Sequence, residues 1–381
     1  MTIAFVGLSG ALKRTRACDV RLAMFANMMS ENNHVMVINR YSPLHEITST
    51  NIRVADSVEQ NEIIKPRNTG RIATLLLLIA SVLAEPFFLL YKNHKERIDI
   101  IHIYSGHYFD YLLYKLVAKI IGAKVVCQYV EYRYALESRA LYHRINNYLC
   151  DMKGPKLWDG VIAISAFLMN AAVEVNNRIK AIRIPPICDF SLYQSIHGNV
   201  DIGSPYILYC GSVGYMDVIE MILDSYRQST INETHKLVLV LGGSLEDISV
   251  FEEKNRDVIV KHNIEYNDLI RYYKNATLLL IPLRDSIRDI ARFPNKICEY
   301  LAANGVIVTT DVGEMSSFFS DGESAIIASD YSVESFKIAL DKFVEGGYDY
   351  SKIKQNSYLI GLKYFDIISV KDQIEVFLRC L

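Results

Sequence analysis

The sequence predicts an α/β protein made of two doubly wound parallel sheets. Three observations carry this. Short apolar runs of strand length alternate with stretches of helical spacing along most of the chain. The alternation lapses once, in the polar stretch "DFSLYQSIHGNVDIGS" at residues 189–204, and then restarts. A chain of 381 residues also exceeds one domain of about 100–200 residues. The expected division is a first Rossmann-like domain over 1–190, a linker over 191–204, a second over 205–355 and a C-terminal helical segment over 356–381.

The chain opens with "TIAFVG", residues 2–7, a short apolar run ending in Gly that reads as a buried parallel strand. Leu22, Phe25, Ala26 and Met29 then recur at helical spacing, and "NN" closes that helix before the strand "HVMVINR". Further strands are expected at "IDIIHIY" (98–104), "AKVVCQYV" (123–130) and "GVIAIS" (160–165). After the linker come "YILYCG", "KLVLVLGG", "DVIVK", "TLLLIPL", "GVIVTT" and "SAIIAS". Two such sheets would leave a cleft at the carboxyl ends of their strands, where ligands of α/β folds bind. The chain shows no fixed-period repeat and no low-complexity tract.

Composition narrows the classes. A hydrophobic share of 51% with 22% charged residues describes a globular chain with large cores. The net charge of −2 argues against a nucleic-acid partner. Seven Cys with no metal-site spacing read as small buried hydrophobes in a reducing, cytoplasmic compartment, and no metal site is expected. "IATLLLLIASVLA", residues 72–84, is broken by Glu85-Pro86 short of the ~20 residues of a spanning helix. It reads as a buried helix of the first domain. The alternative is a helix lying in a membrane surface, with Lys65, Arg67 and Arg71 as contacts for anionic lipid, so that residues 65–91 form a peripheral contact.

The chemistry concentrates in "ARFPNKICEYLAANGVIVTT", residues 291–310. Pro294 suits a first helical position and Gly305 a left-handed residue after the helix end. The amino end of that helix then faces the carboxyl edge of the sheet, with free N–H groups and a partial positive charge suited to phosphate oxygens. Lys296 adds a full charge and Arg292 precedes the helix. Glu299, one turn on, is placed to accept hydrogen bonds from a vicinal diol such as a ribose. A plain Lys–Glu pair on a wet helix face, worth ~0.2–0.5 kcal/mol, is the competing reading.

At this point the chain resembles the GT-B glycosyltransferases of family 4. The resemblance rests on "PNKICEYLAANGVIVTTDVGEMSSFFSDGESAII", and on "YILYCGSV", "NDLIRYYKNATLLLIPL", "DGVIAISAFLMNAA", "RIPPICD" and "IDIIHIYSGH" in matching order and spacing. It implies the GT-B fold, two Rossmann-like domains facing a central cleft, with the C-terminal segment packing back toward the first domain. It implies transfer of a sugar, usually with retention and without a metal, from a UDP- or GDP-linked donor. The expected acceptor is a saccharide or lipid-linked saccharide, as in surface polysaccharide assembly at the inner face of a membrane. Glu299 would hold the ribose, and Lys296 would face the diphosphate with Arg292. The other donor-side residues implied are Gly211, Ser212, Asp289, Pro294, Asn295 and His262. Gly10, Arg14, Tyr104 and His107 fall on the acceptor side, with His107 joining Lys296 and Arg292 as a catalytic candidate.

The chain departs from that pattern in three places. The family's Glu eight residues before the ribose carboxylate falls on Ala291, leaving Asp289 or Asp285 to approach the sugar. The Arg and Lys that grip the diphosphate fall near Ser212 and Asp217, so that Arg284, Arg288 or Arg292 would have to replace them. Tyr104 stands where a second His is common. "GLSGALKRTR", residues 7–16, lacks the Gly fingerprint of a dinucleotide site, and its Lys13, Arg14 and Arg16 are either acceptor-phosphate ligands or a solvated basic loop. Two rivals stay open: a silent GT-B partner that binds nucleotide without turnover, and a nucleotide-cofactor oxidoreductase.

Overall fold

A computed structural model of the chain describes residues 1–10, 17–44 and 54–381. The described chain divides into two compact units, Met1–Ile187 with Val370–Leu381, and Cys188–Ser369.

The first unit is built on seven parallel strands: β1 (Thr2–Ser9), β2 (His34–Arg40), β3 (Val58–Glu62), β4 (Ile100–Ile103), β5 (Lys124–Tyr129), β6 (Gly160–Ala163) and β7 (Lys180–Arg183). They lie in the order β3-β2-β1-β4-β5-β6-β7. This is the doubly wound arrangement, reversing direction between β1 and β4. Ile3 to Val6 are fully buried, as a central strand covered on both faces requires. Leu22, Phe25, Ala26 and Met29 of the helix Ala17–Ser30 are buried as well. The sequence reading missed β3 ("VEQNE") and β7 ("KAIR"). Both are edge strands with a single partner, where polar side chains are tolerated and no apolar run is needed.

One expectation for this unit fails. Helix Arg71–Lys95 runs through Glu85-Pro86 without a break, so the apolar stretch is long enough to cross a membrane. It is not the buried helix expected: only Ser81, Glu85 and Leu89 are buried, while Ile72, Leu76, Leu83 and Phe87 are each more than half exposed.

The second unit repeats the design with six parallel strands. They are β8 (Tyr206–Ser212), β9 (Lys236–Gly242), β10 (Ile259–Lys261), β11 (Leu278–Ile281), β12 (Val306–Thr310) and β13 (Ile326–Ala328), in the order β10-β9-β8-β11-β12-β13. Its core packs the inward faces of these strands against Ile219, Ile222, Phe336 and Ile353. The polar stretch read as a linker contains a helix, Phe190–Ser195, capped by Asp189, with Phe190 and Tyr193 buried within this unit.

The second of the two helices between β11 and β12 is Lys296–Ala302, two residues later than Pro294 suggested, with Asn295 at its cap. Its end also differs from expectation. Asn304, at φ 58°, takes the left-handed position. The Asn304 and Gly305 N–H groups close back on Leu301 O and Tyr300 O at 2.9 and 3.0 Å. Gly305 is needed for a different reason: a Cβ there would lie 2.2 Å from Leu279 Cδ1.

Candidate functional site

The second sheet reverses direction between β8 and β11, which are direct neighbours. The carboxyl ends of strands at such a reversal are where doubly wound sheets bind ligands. β8 leads through Gly211 and Ser212 into a tight turn at Val213–Tyr215, capped by Ser212 Oγ, which accepts from Gly214 N at 3.2 Å. Gly211 leaves room for the Tyr209 side chain, whose hydroxyl would lie 2.3 Å from a Cβ. From β11 the chain passes through Arg284, the short helix Ile287–Ala291 and Arg292 before reaching Lys296.

Three arginines from that segment surround Tyr215. Their guanidinium carbons lie 5.8 (Arg284), 5.5 (Arg288) and 5.0 Å (Arg292) from the ring centroid, within cation–π range. Arg292 Nη1 donates to the Tyr215 hydroxyl at 2.8 Å and Arg288 Nη2 at 3.4 Å. Asp289 does not face outward toward a sugar, as was expected; it is 1% exposed. Its carboxylate takes Arg284 Nε at 2.7 Å and Arg292 Nη2 at 2.6 Å. Burial alone would raise the Asp289 pKa, but the two guanidinium groups outweigh it and hold the carboxyl below its ordinary value. Arg284 also reaches Asp217 at 2.6 Å, so the carboxylate at one missing-cation position is already neutralised. Arg288 is exposed, and Arg292 remains partly exposed.

Lys296 and Glu299 form the ion pair that their spacing predicts, Nζ to Oε2 at 2.8 Å, but not on a wet surface. Their side chains are 29% and 14% exposed, and Lys296 Nζ also donates to the Tyr273 hydroxyl at 3.0 Å. Burial pulls the ammonium pKa down. The Glu299 carboxylate beside it pulls it up, and Lys296 stays charged. Tyr300, on the same helix, receives Cys210 N at 3.2 Å and ties the helix to the end of β8. Pro294 and Asn295 are half-buried just before Lys296, where Asn295 O accepts from the Cys298 thiol at 2.9 Å. His262 is not brought to this group. It is exposed beyond the end of edge strand β10, which β9 separates from β8.

In the first unit the corresponding reversal lies between β1 and β4, and the other candidates gather there. Gly7, at φ 81°, packs so closely that a Cβ would lie 2.8 Å from Ser105 Cβ. Gly10 is buried with φ 60°, Tyr104 is half-buried against Phe5, and His107 is exposed at the cap of helix Tyr108–Ile121. Arg14 lies outside the described residues, with Lys13 and Arg16.

Beneath these loops is a buried network that sequence reasoning missed. Arg40, at the end of β2, pairs with Glu85 at 2.6 Å and forks onto Asp110 at 2.9 and 2.8 Å. Tyr114 donates to Glu85 at 2.5 Å, Ser105 donates to Asp110, and Glu85 accepts from Gly7 N at 3.2 Å. The sequence signals were Arg40 closing an apolar strand and Glu85 standing within an apolar helix, two positions that need buried counter-charges. Among the described residues, no group of three or more His, Cys, Asp or Glu could hold a metal ion.

Comparison with known proteins agrees with the two-sheet fold. Residues 196–359, within the second unit, match the family model of glycosyl transferases group 1. No curated protein matches the chain by sequence. Among solved structures, sucrose-phosphate synthase from Thermosynechococcus elongatus aligns with a TM-score of 0.75 at 14% identity, over 100% of this chain and 98% of that one. HepE of Anabaena in complex with UDP-glucose aligns at 0.69 and 15% identity, over 100% of both chains. The pneumococcal O-GlcNAc transferase GtfA in complex with UDP and GlcNAc aligns at 0.66 and 11%, over 100% and 98%. The chain therefore has the GT-B fold, and its second unit carries the segment that matches the group 1 glycosyl transferases.

Proposed function

We infer that the protein is a glycosyltransferase of the family 4 type, moving a sugar from a nucleoside diphosphate donor to a saccharide or lipid-linked acceptor. The observation that carries this reading is the half-buried Lys296–Glu299 pair on one helix, beside the arginines that ring Tyr215 at the β8–β11 reversal. UDP is the first nucleotide to test, because HepE and GtfA are described with it.

In this reading Glu299 accepts hydrogen bonds from the ribose hydroxyls. Lys296, Arg288 and Arg292 face the diphosphate and stabilise the charge that grows on it as the bond from the anomeric carbon to the phosphate oxygen breaks. The acceptor hydroxyl oxygen forms the new bond to that carbon, and its proton passes to the departing phosphate oxygen. The nucleoside diphosphate leaves. The reaction is retaining and metal-independent in this proposal, so a chelator should leave turnover unchanged. The arginines take the place of the cations lost at Ser212 and Asp217, with Asp289 fixing their direction rather than touching the sugar.

One observation favours the silent-partner rival. Ala291 is fully buried and supplies no carboxylate, while Asp289 is engaged. A thermal-shift screen separates the readings. UDP or GDP should raise the melting temperature of the wild type and fail to do so for Glu299→Ala, with no shift from NAD. A shift by NAD alone would support the oxidoreductase instead. Nucleotide binding without release of nucleoside diphosphate, across a panel of sugars and acceptors, would identify the silent partner.

A further inference from the structure

Helix Arg71–Lys95 is turned inside out by the standards of a soluble protein. By helical spacing, Ile72, Leu75, Leu76, Ile79, Leu83 and Phe87 share one side, and all are exposed. The opposite side, marked by Ser81, Glu85 and Leu89, is the buried one. Two neighbouring helices continue the pattern. Helix Tyr108–Ile121 packs beside it and exposes Phe109, Leu112, Leu116 and Ile120; helix Leu141–Met152 packs beside that one and exposes Leu141, Tyr142, Ile145 and Tyr148. An apolar surface running over three adjacent helices exceeds the scattered exposure normal for a monomer.

The charges on these helices are sorted by burial. Their acidic residues are Glu85, Asp110 and Asp151, exposed 0%, 2% and 3%. Arg71, Lys95, Lys119 and Arg144, all basic, are exposed. Every exposed charged side chain within these helices is therefore basic, while the exposed Glu96 and Glu137 lie just outside them. We propose that this three-helix face of the first unit seats on an anionic lipid bilayer, with its leucines and aromatics in the interface and its Arg and Lys at the headgroups. A second copy of the chain fits less well, because a two-fold contact would set the same basic residues against each other.

The face lies on the membrane and does not insert across it. Although helix Arg71–Lys95 has the length and composition to span, Glu85 is tied to Arg40, Tyr114 and Gly7 N. Spanning would strip that carboxylate of its partners and leave Arg40 buried with one fewer.

The test is co-sedimentation of the full chain with vesicles of phosphatidylcholine alone, or mixed with phosphatidylglycerol. The protein should pellet with the mixed vesicles. Arg71→Gln with Lys119→Gln should weaken binding on the order of tenfold, and Leu76→Gln, Leu83→Gln and Phe87→Gln together should abolish it. These positions are exposed, so far-UV circular dichroism and the nucleotide thermal shift should be unchanged; the outcome is therefore independent of the proposed transferase activity. Failure of the wild type to bind mixed vesicles would overturn the proposal. So would binding that the triple variant retains. A dimer that the triple variant converts to monomer, with no vesicle binding, would assign the face to a second copy.

Discussion

His102 sits within β4 at 1% exposure, stacked on Phe5 with ring centroids 4.7 Å apart. Neither ring nitrogen has a hydrogen-bond partner among the described residues. Burial, aided by the charge of Arg21, lowers its pKa from 6.5 to about 3. Between those values the unfolded chain binds a proton that the folded chain refuses. The contribution is therefore complete above pH 6.5 and drains away as pH falls toward 3, at up to about 1.4 kcal/mol per pH unit. His102→Phe should remove that part of the acid sensitivity, read as a flatter fall of the urea midpoint between neutral and mildly acidic pH. An unchanged slope would show that His102 finds a proton acceptor in solution. Residue-scale chemistry was unevenly legible in the sequence. Lys296 and Glu299 could be paired by spacing alone, because three residues on a helix fix their separation. Tyr215 could not, since a single Tyr in "GSVGYMD" has no pattern and its arginines come from another strand's loop.

At the scale of elements, apolar content decided what could be read. Strands with neighbours on both sides were visible as apolar runs, from β1 to β12, whereas edge strands β3 and β7 were hidden by their polar residues. Helix Arg71–Lys95 was visible, but its orientation was not. A run so uniformly apolar does not reveal which side packs, and the deciding contact, Glu85 with Arg40, is made 45 residues away in sequence. The end of helix Lys296–Ala302 gives a sharper test of local rules. Asn304 occupies a left-handed position that Gly takes without cost, so Asn304→Gly should hold or raise stability by a few tenths of a kcal/mol. Gly305→Ala should lower it by about 1–3 kcal/mol, because the new methyl meets Leu279 and the Tyr300 carbonyl, 3.2 Å away. Urea denaturation of the two variants should separate them in that order. The reverse order would mean that the left-handed residue, and not the close approach, limits this helix end.

For the molecule as a whole, the repeated strand order expresses one rule twice: successive crossovers add strands side by side, and the single reversal sets the binding edge. The alternation of apolar runs was enough to predict that scheme. It could not show that the chain returns to the first unit at its end, because this depends on contacts some 200 to 340 residues apart. Val370–Leu381 belongs to the unit formed by Met1–Ile187. Val370, Ile374 and Leu378 are buried, Asn32 donates to Glu375 at 2.8 Å, and Lys371 pairs with Glu31. Leu381 and Phe377 close over Gly160, where a Cβ would lie 2.8 and 3.0 Å from them. Three buried aliphatic side chains contribute about 5–9 kcal/mol, comparable with the whole stability of a domain at about 5–15 kcal/mol. A chain ending at Ser369 should therefore lose the cooperative unfolding transition of the first unit in calorimetry. The second unit retains all its described strands in that truncation, along with Lys296, Glu299 and the arginines around Tyr215, so its transition and its stabilisation by nucleotide should persist. A first-unit transition unmoved by the truncation would mean that this terminal helix only decorates a sheet already stable without it.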